Sequence, residues 1–150
     1  MPAIRDLLSY RLHVVANLLS RGAELRYRRE FGVSLWEWRT IALLGATHEP
    51  LSFNHLAHAA GVHKSQMSRV VSGLVRRRLV VREADPGDAR GLRLALSKSG
   101  RRLYDGLIAA AAARDKAFRK CLSSSESVIF DKALNKLAGQ AREFIAMEKK

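Results

Sequence analysis

Apolar side chains recur at helical spacing along most of the chain. From Ala3 to about Phe31, Leu7, Leu8, Leu12, Val15, Leu18, Leu19 and Leu25 mark one helix face, and Gly32 stands where such a helix stops. Ser34 predicts the cap of a second helix, "LWEWRTIALLGATH", ending before Pro50. Ser52 predicts a third cap, with Leu51 and Leu56 placed as a hydrophobic staple, for "FNHLAHAA", which ends at Gly61. A fourth helix runs from about His63 to Arg77, with Met67, Val70, Val71, Leu74 and Val75 at i, i+3, i+4, i+7 and i+8.

The pattern then changes. "LVVRE" and "LRLAL" read as short strands separated by the Pro-Gly-Asp turn signals of "EADPGDARG". Ser97 or Ser99 begins an alanine-rich helix through about Lys120, and Ser123 with Glu126 forms a capping box for a last helix to about Met147. The three prolines, Pro2, Pro50 and Pro86, act as punctuation between these elements. Two helices joined by a tight glycine turn and followed by a hairpin predict a winged helix-turn-helix, in a chain that is mostly α with a small β-wing. At 150 residues the chain is one domain. The winged helix-turn-helix lobe is expected over 33–100, with flanking helices over 1–32 and 101–150.

Charge gives this fold a direction. Lys and Arg outnumber Asp and Glu 27 to 14, a net +13, and residues 63–102 alone carry eleven basic and three acidic side chains. Such a local excess points to an anionic partner, and a helix flanked by a basic hairpin fits double-stranded DNA. At 47% apolar residues the chain falls outside the disordered class, and no apolar run reaches the ~20 residues of a membrane span. The N-terminus lacks a signal-peptide pattern and Cys121 is the single cysteine, so a cytoplasmic protein without an internal disulfide is expected.

With the apolar stripe of the fourth helix buried, a 100° step per residue places Ser65, Arg69, Ser72 and Arg76 on the opposite side, with Gln66 and Ser68 flanking. Arg69 can reach guanine O6 and N7, Gln66 can pair with adenine, and Ser65 or Ser68 serves a base or a phosphate. His63 and Lys64 stand at the helix start, where the dipole favours a phosphate. At the turn between the strands, Arg90 is placed to enter a minor groove.

"KSQMSRVVSGLVRRRLV", the Asp88-x-Arg90 pair and the closing "LALSKSG" resemble the MarR family of bacterial transcriptional regulators, as do Leu56-Ala57, Gly61-Val62 and "LWEWRTIALL". The resemblance is close over about fifty residues and loose over nearly the whole chain. It implies a homodimer on a palindromic site, with Asp88 positioning Arg90 on DNA. Leu7, Leu8, Leu12 and Val15, with Leu134, Leu137, Phe144 and Ile145, supply apolar surface for a two-fold interface. It also implies a pocket for a small aromatic acid effector, for which Tyr10, His13, Trp36, Trp38 and Arg39 offer rings and a cation. Two positions depart from the family pattern. Arg78 replaces the glycine that usually ends the recognition helix, and Gly73 lies inside that helix.

Other chemistry is weaker. His55, His58 and His63 cluster without the cysteine or acidic ligand that would complete a zinc site, so no metal or cofactor is expected. Cys121 reads as a buried structural thiol near a turn, unlike the N-terminal cysteine of the family's thiol-sensing branch. No phosphate loop or nucleophile motif argues for an enzyme. Two functions remain: a sequence-specific regulator, a repressor released by an effector, and an effector-independent structural protein that coats DNA.

Overall fold

A computed structural model describes residues 1 and 3–149; Pro2 and the side chains of Ala89 and Arg90 lie outside the described residues. The chain divides into two compact units, Met1–Ala109 and Ala110–Lys150.

The first unit opens with a 3-10 turn, Ile4–Asp6, before helix α1, Leu8–Phe31. The helix expected from Ala3 is interrupted because the Asp6 carboxylate accepts the Ala3 N–H at 3.2 Å, closing a local turn that leaves Leu7 extended. Gly32 ends α1 in the left-handed conformation, φ 65°. Ser34 caps α2, Leu35–Gly45, and the cap is reciprocal: Ser34 Oγ accepts the Glu37 N–H at 3.2 Å while Glu37 Oε2 accepts the Ser34 N–H at 2.8 Å. α2 stops at Gly45 rather than running towards Pro50. Arg101 takes up the carbonyls freed there, donating to Gly45 O at 2.7 Å and Thr47 O at 3.2 Å.

Leu51–Ser52 form a strand, β1, that the apolar pattern does not announce. Ser52 also caps α3, Phe53–Ala60, its Oγ accepting the His55 N–H at 3.1 Å, and Gly61 closes α3 at φ 67°. Helix α4 spans Lys64–Arg76, then β2, Val80–Asp85, and β3, Asp88–Leu96, make the hairpin. The sheet is antiparallel in the order β1-β3-β2, with Leu51 opposite Leu94 and Val80 opposite Leu96. Ser97 then caps α5, Lys98–Arg119, by accepting the Gly100 N–H at 3.0 Å. Tyr27, Ile41, Leu56, Met67, Leu74, Val80, Leu94 and Leu107 are buried, so α1, α2, α3, α4, the sheet and the start of α5 share one core.

Arg78 adopts the left-handed conformation, φ 57°, as its replacement of a glycine implied. Its carbonyl accepts from Ser97 Oγ at 2.7 Å and Ser99 Oγ at 3.0 Å, which fixes the corner despite the steric cost. Arg78→Gly is expected to stabilise the protein by about 1 kcal/mol, read as a higher urea midpoint at unchanged slope.

The second unit holds the end of α5 and helix α6, Ser124–Glu148. Ser123 and Glu126 form the expected capping box, and the Ser123 backbone N–H, followed by its side chain, holds the Glu126 carboxyl below its ordinary pKa. Arg119 joins the two helices through Asp131 of α6 at 3.1 Å and also pairs with Asp115, one turn back on α5, at 2.9 Å; both interactions raise its already high pKa. Cys121 is exposed, contrary to the expectation of a buried thiol. In the turn after α5 the Cys121 N–H donates to Phe118 O at 3.3 Å, and the thiol donates to the same carbonyl at 3.0 Å. No described residue of α6 is buried.

Candidate nucleic-acid interface

The reading face is built by burying the opposite side of α4. Met67, Val71 and Leu74 are fully buried and Val70 and Val75 half-buried, which turns Ser65, Ser68, Arg69 and Arg76 to solvent. Gln66 and Ser72 are half-buried at the edges of that stripe. The register of α4 is pinned from both sides. The buried Thr40 hydroxyl of α2 donates to Met67 Sδ at 3.8 Å, and the Leu79 N–H donates to Leu74 O at 2.9 Å beyond the helix end. His63 is the N-cap residue and Lys64 the first helical residue, both exposed, where free N–H groups and the positive end of the helix dipole meet solvent.

The arginine run after α4 divides into three roles. Arg76 is exposed and, among the described residues, has no acidic partner. Arg77 donates to Glu37 Oε1 at 3.1 Å, the carboxylate whose other oxygen completes the cap of α2. Arg78 turns the corner into β2. Sequence reasoning singled out Arg76 and missed the Arg77–Glu37 tie, since no local pattern links residues forty positions apart. Gly73, the other departure from the family pattern, lies with its Cα towards Glu37: a Cβ there would stand 3.9 Å from Glu37 Oε1, ordinary contact distance.

A groove of about 490 Å³ runs between the start of α3, α4 and the hairpin, lined by Ser52, Asn54, Ser68, Asp85, Asp88 and Leu92 among others. It brings Ser68 and Asp88 to one site. Asp85 Oδ1 accepts the Gly87 N–H at 2.9 Å and shapes the hairpin turn. Arg90 belongs to β3, and its side chain is outside the described residues. Arg82, absent from the sequence reading, reaches from β2 to α4 and donates to Ser72 Oγ at 3.1 Å. Among the described residues no cluster of His, Cys, Asp and Glu could hold a metal ion.

The five residues considered for an effector do not share one cavity within the chain. Trp38 and Arg39 line a cleft of about 380 Å³ with Ala42, Leu43, Ala59 and Ala60, between α2 and α3. Trp38 packs its ring 5.2 Å from that of Tyr27, and Arg39 lies 4.9 Å over the Trp36 ring while donating to Ser20 Oγ at 3.2 Å. Tyr10 lines a separate cleft on α1 with Arg5, Arg11, Val14 and Val15, and the exposed His13 bonds Asn17 at 2.9 Å.

A helix-turn-helix at α3 and α4, a three-stranded antiparallel sheet and a hairpin after the second helix define a winged helix-turn-helix protein. Residues 31–91 match the sequence model of the MarR family. Among solved structures the chain is similar to a MarR family transcriptional regulator from Silicibacter pomeroyi DSS-3, with 25% identity over 94% of this chain and 99% of that one, TM-score 0.81. It is also similar to a MarR/EmrR family regulator from Acinetobacter sp. ADP1, with 22% identity over 95% and 99% of the chains, TM-score 0.84. A third is the Staphylococcus aureus MepR–DNA complex, with 21% identity over 89% and 98%, TM-score 0.81. No curated protein sequence matches significantly. Residues 31–91 thus carry the sequence pattern of the MarR family, and the chain shares its fold with solved MarR family transcriptional regulators. No helix among the described residues is long and apolar enough to cross a membrane.

Proposed function

We propose that the protein is a dimeric, sequence-specific DNA-binding repressor of the cytoplasm, released from a palindromic site by a small aromatic acid effector. The observation that carries the DNA reading is the exposed polar and basic stripe of α4, opposite a buried apolar face and held in register from α2. The S. aureus MepR–DNA complex, to which the fold is similar, supports the same partner. Ser65, Gln66, Ser68 and Arg69 read base edges in the major groove. His63, Lys64 and Arg76 meet the backbone around them, with Ser72 at the edge of the same surface. Asp88 and Arg90 form the wing contact, with the aspartate positioning the arginine for the minor groove.

Dimerisation is supported by two long helices that bury almost nothing in the single chain. In α1 only Tyr27 is buried, and in α6 no described residue is. Leu7 just before α1, Leu8 and Val15 on α1, and Leu134, Leu137, Phe144 and Ile145 on α6 are exposed; Leu12 is half-buried. Helices with that much uncovered apolar surface call for a partner, and a second copy supplies the symmetry of a palindrome. For the effector, Trp38 and Arg39 offer a ring and a guanidinium to an aromatic carboxylate, with Trp36 holding Arg39 from behind and Tyr10 and His13 on α1. Release requires the effector to favour a spacing of the two reading helices that does not fit the operator.

The test is binding of the purified protein to duplex from its own upstream region and to an unrelated duplex, at two salt concentrations. A preference of about 10³-fold or more, kept at the higher salt, is expected. Equal binding to both that falls steeply with salt would instead support an effector-independent DNA-coating protein. Arg69→Ala is expected to lower affinity for the preferred duplex roughly 10- to 100-fold while changing the unrelated duplex much less. An unchanged preference would remove Arg69 from base reading.

A further inference from the structure

We infer that Arg82 on β2, held by Ser72 of the reading helix, is a phosphate clamp for the DNA backbone; the inference rests on the DNA-binding reading above. Arg82 stands on the same face of β2 as the buried Val80, two residues along, so its side chain leaves the strand on the side that packs against the core. There it crosses to α4, and its Nη2 donates to Ser72 Oγ at 3.1 Å. Ser72 lies one turn from Arg69 and one turn from Arg76, positions whose Cβ atoms stand about 5–6 Å away on an α-helix.

Arg82 is thus anchored on α4 between two further arginines, one turn away on either side. Among the described residues none of Arg69, Arg76 and Arg82 has an acidic partner. The contrast with Arg77 is sharp, since Arg77, one residue from Arg76, is neutralised by Glu37. Like charges brought together without a carboxylate repel unless an anion joins them. The hydrogen bond to Ser72 occupies one donor of Arg82 and orients the planar fork, leaving donors for the paired oxygens of a phosphate.

The chemical class follows from where the group is anchored. A side chain that starts on β2 and lies across the flank of α4 approaches the groove from its wall, where the phosphates run, and not from the helix face that meets the base edges. Ser72 then acts as a positioning residue through Arg82 and not as a base reader.

The experiment compares the full-length parent with Arg82→Ala, Arg82→Lys, Ser72→Ala and the Arg82→Ala/Ser72→Ala double variant, on the preferred and the unrelated duplex, over a series of salt concentrations. Arg82→Ala is expected to lose about tenfold in affinity on both duplexes alike, with the slope of log K against log salt smaller by about one for each reading head engaged. Arg82→Lys should keep that slope, because the charge remains, while recovering only part of the affinity. Ser72→Ala should weaken binding less than Arg82→Ala, and the double variant should bind no worse than Arg82→Ala alone. If Arg82→Ala matches the parent in affinity and slope while Arg69→Ala still loses preference, the clamp is wrong and the DNA reading stands. A loss confined to the preferred duplex would make Arg82 a base reader and overturn the phosphate assignment. A parent that binds neither duplex overturns the DNA reading, and the clamp with it.

Discussion

A chain carrying Leu137→Asp and Phe144→Asp is expected to sediment as a monomer and to bind the preferred duplex 10²- to 10⁴-fold more weakly than the parent. The reason lies in the spacing of the apolar surface of α6. Phe130, Leu134, Leu137, Ala141 and Phe144 follow one another at intervals of four, three, four and three, the period of a seam between packed helices. Each of these phenylalanines and leucines is exposed in the single chain. The substitutions therefore remove nothing from the core of either unit, and helical content should persist in the circular dichroism of the variant.

Burying one such side chain stabilises an interface by roughly 1.5–3 kcal/mol, and a two-fold axis counts every change twice. Placing charges at the same positions adds their desolvation to that loss. With one reading head per particle, the second half-site is no longer bound as an intramolecular event, which is the source of the expected fall in affinity. Two results would sink the idea: a variant that remains dimeric, or a monomer that binds the full site as tightly as the parent.

The parts of the fold that were legible in the sequence are those settled by neighbours along the chain. Ser52, Ser123, Gly32 and Gly61 each act on backbone groups within a few residues, so their residue type is enough to place a helix end. The buried face of α4 was legible for the same reason, since its period is that of the helix itself. What escaped depends on partners distant in sequence. β1 has two residues and exists through its pairing with β3, and α2 ends where Arg101, more than fifty positions later, reaches its carbonyls. Of the candidate site, the exposed stripe on α4 could be derived from spacing. The division of Arg76, Arg77 and Arg78 and the bridge from Arg82 to Ser72 could not, because each is decided by a side chain arriving from another element. Apolar positions on α1 and α6 show the converse: the period is helical, but no periodicity says whether the covering surface belongs to the same chain.

Gly100→Ala is expected to destabilise the protein by on the order of 3 kcal/mol, lowering its melting temperature by roughly 6–12 °C. A Cβ at this position would overlap the carbonyl oxygen of Leu79, a backbone atom with nowhere to go. That carbonyl accepts the Ser97 N–H at 3.0 Å, and the Leu79 N–H is held by Leu74 O at 2.9 Å, so the segment is bound on both sides. Moving it would also pull on Arg78, already in a left-handed conformation and tied through its carbonyl to Ser97 and Ser99. The corner between α4 and β2 therefore rests against the first turn of α5, and only a residue without a side chain lets them meet. Gly139 in α6 is the matched control: a Cβ there meets no atom within 4 Å, so Gly139→Ala should be neutral or stabilise by up to about 1 kcal/mol. Thermal unfolding followed by circular dichroism separates the two. If both alanine variants melt together with the parent, the packing of α5 against Leu79 does not exist in solution, and the corner that aims α4 must be held by its hydrogen bonds alone.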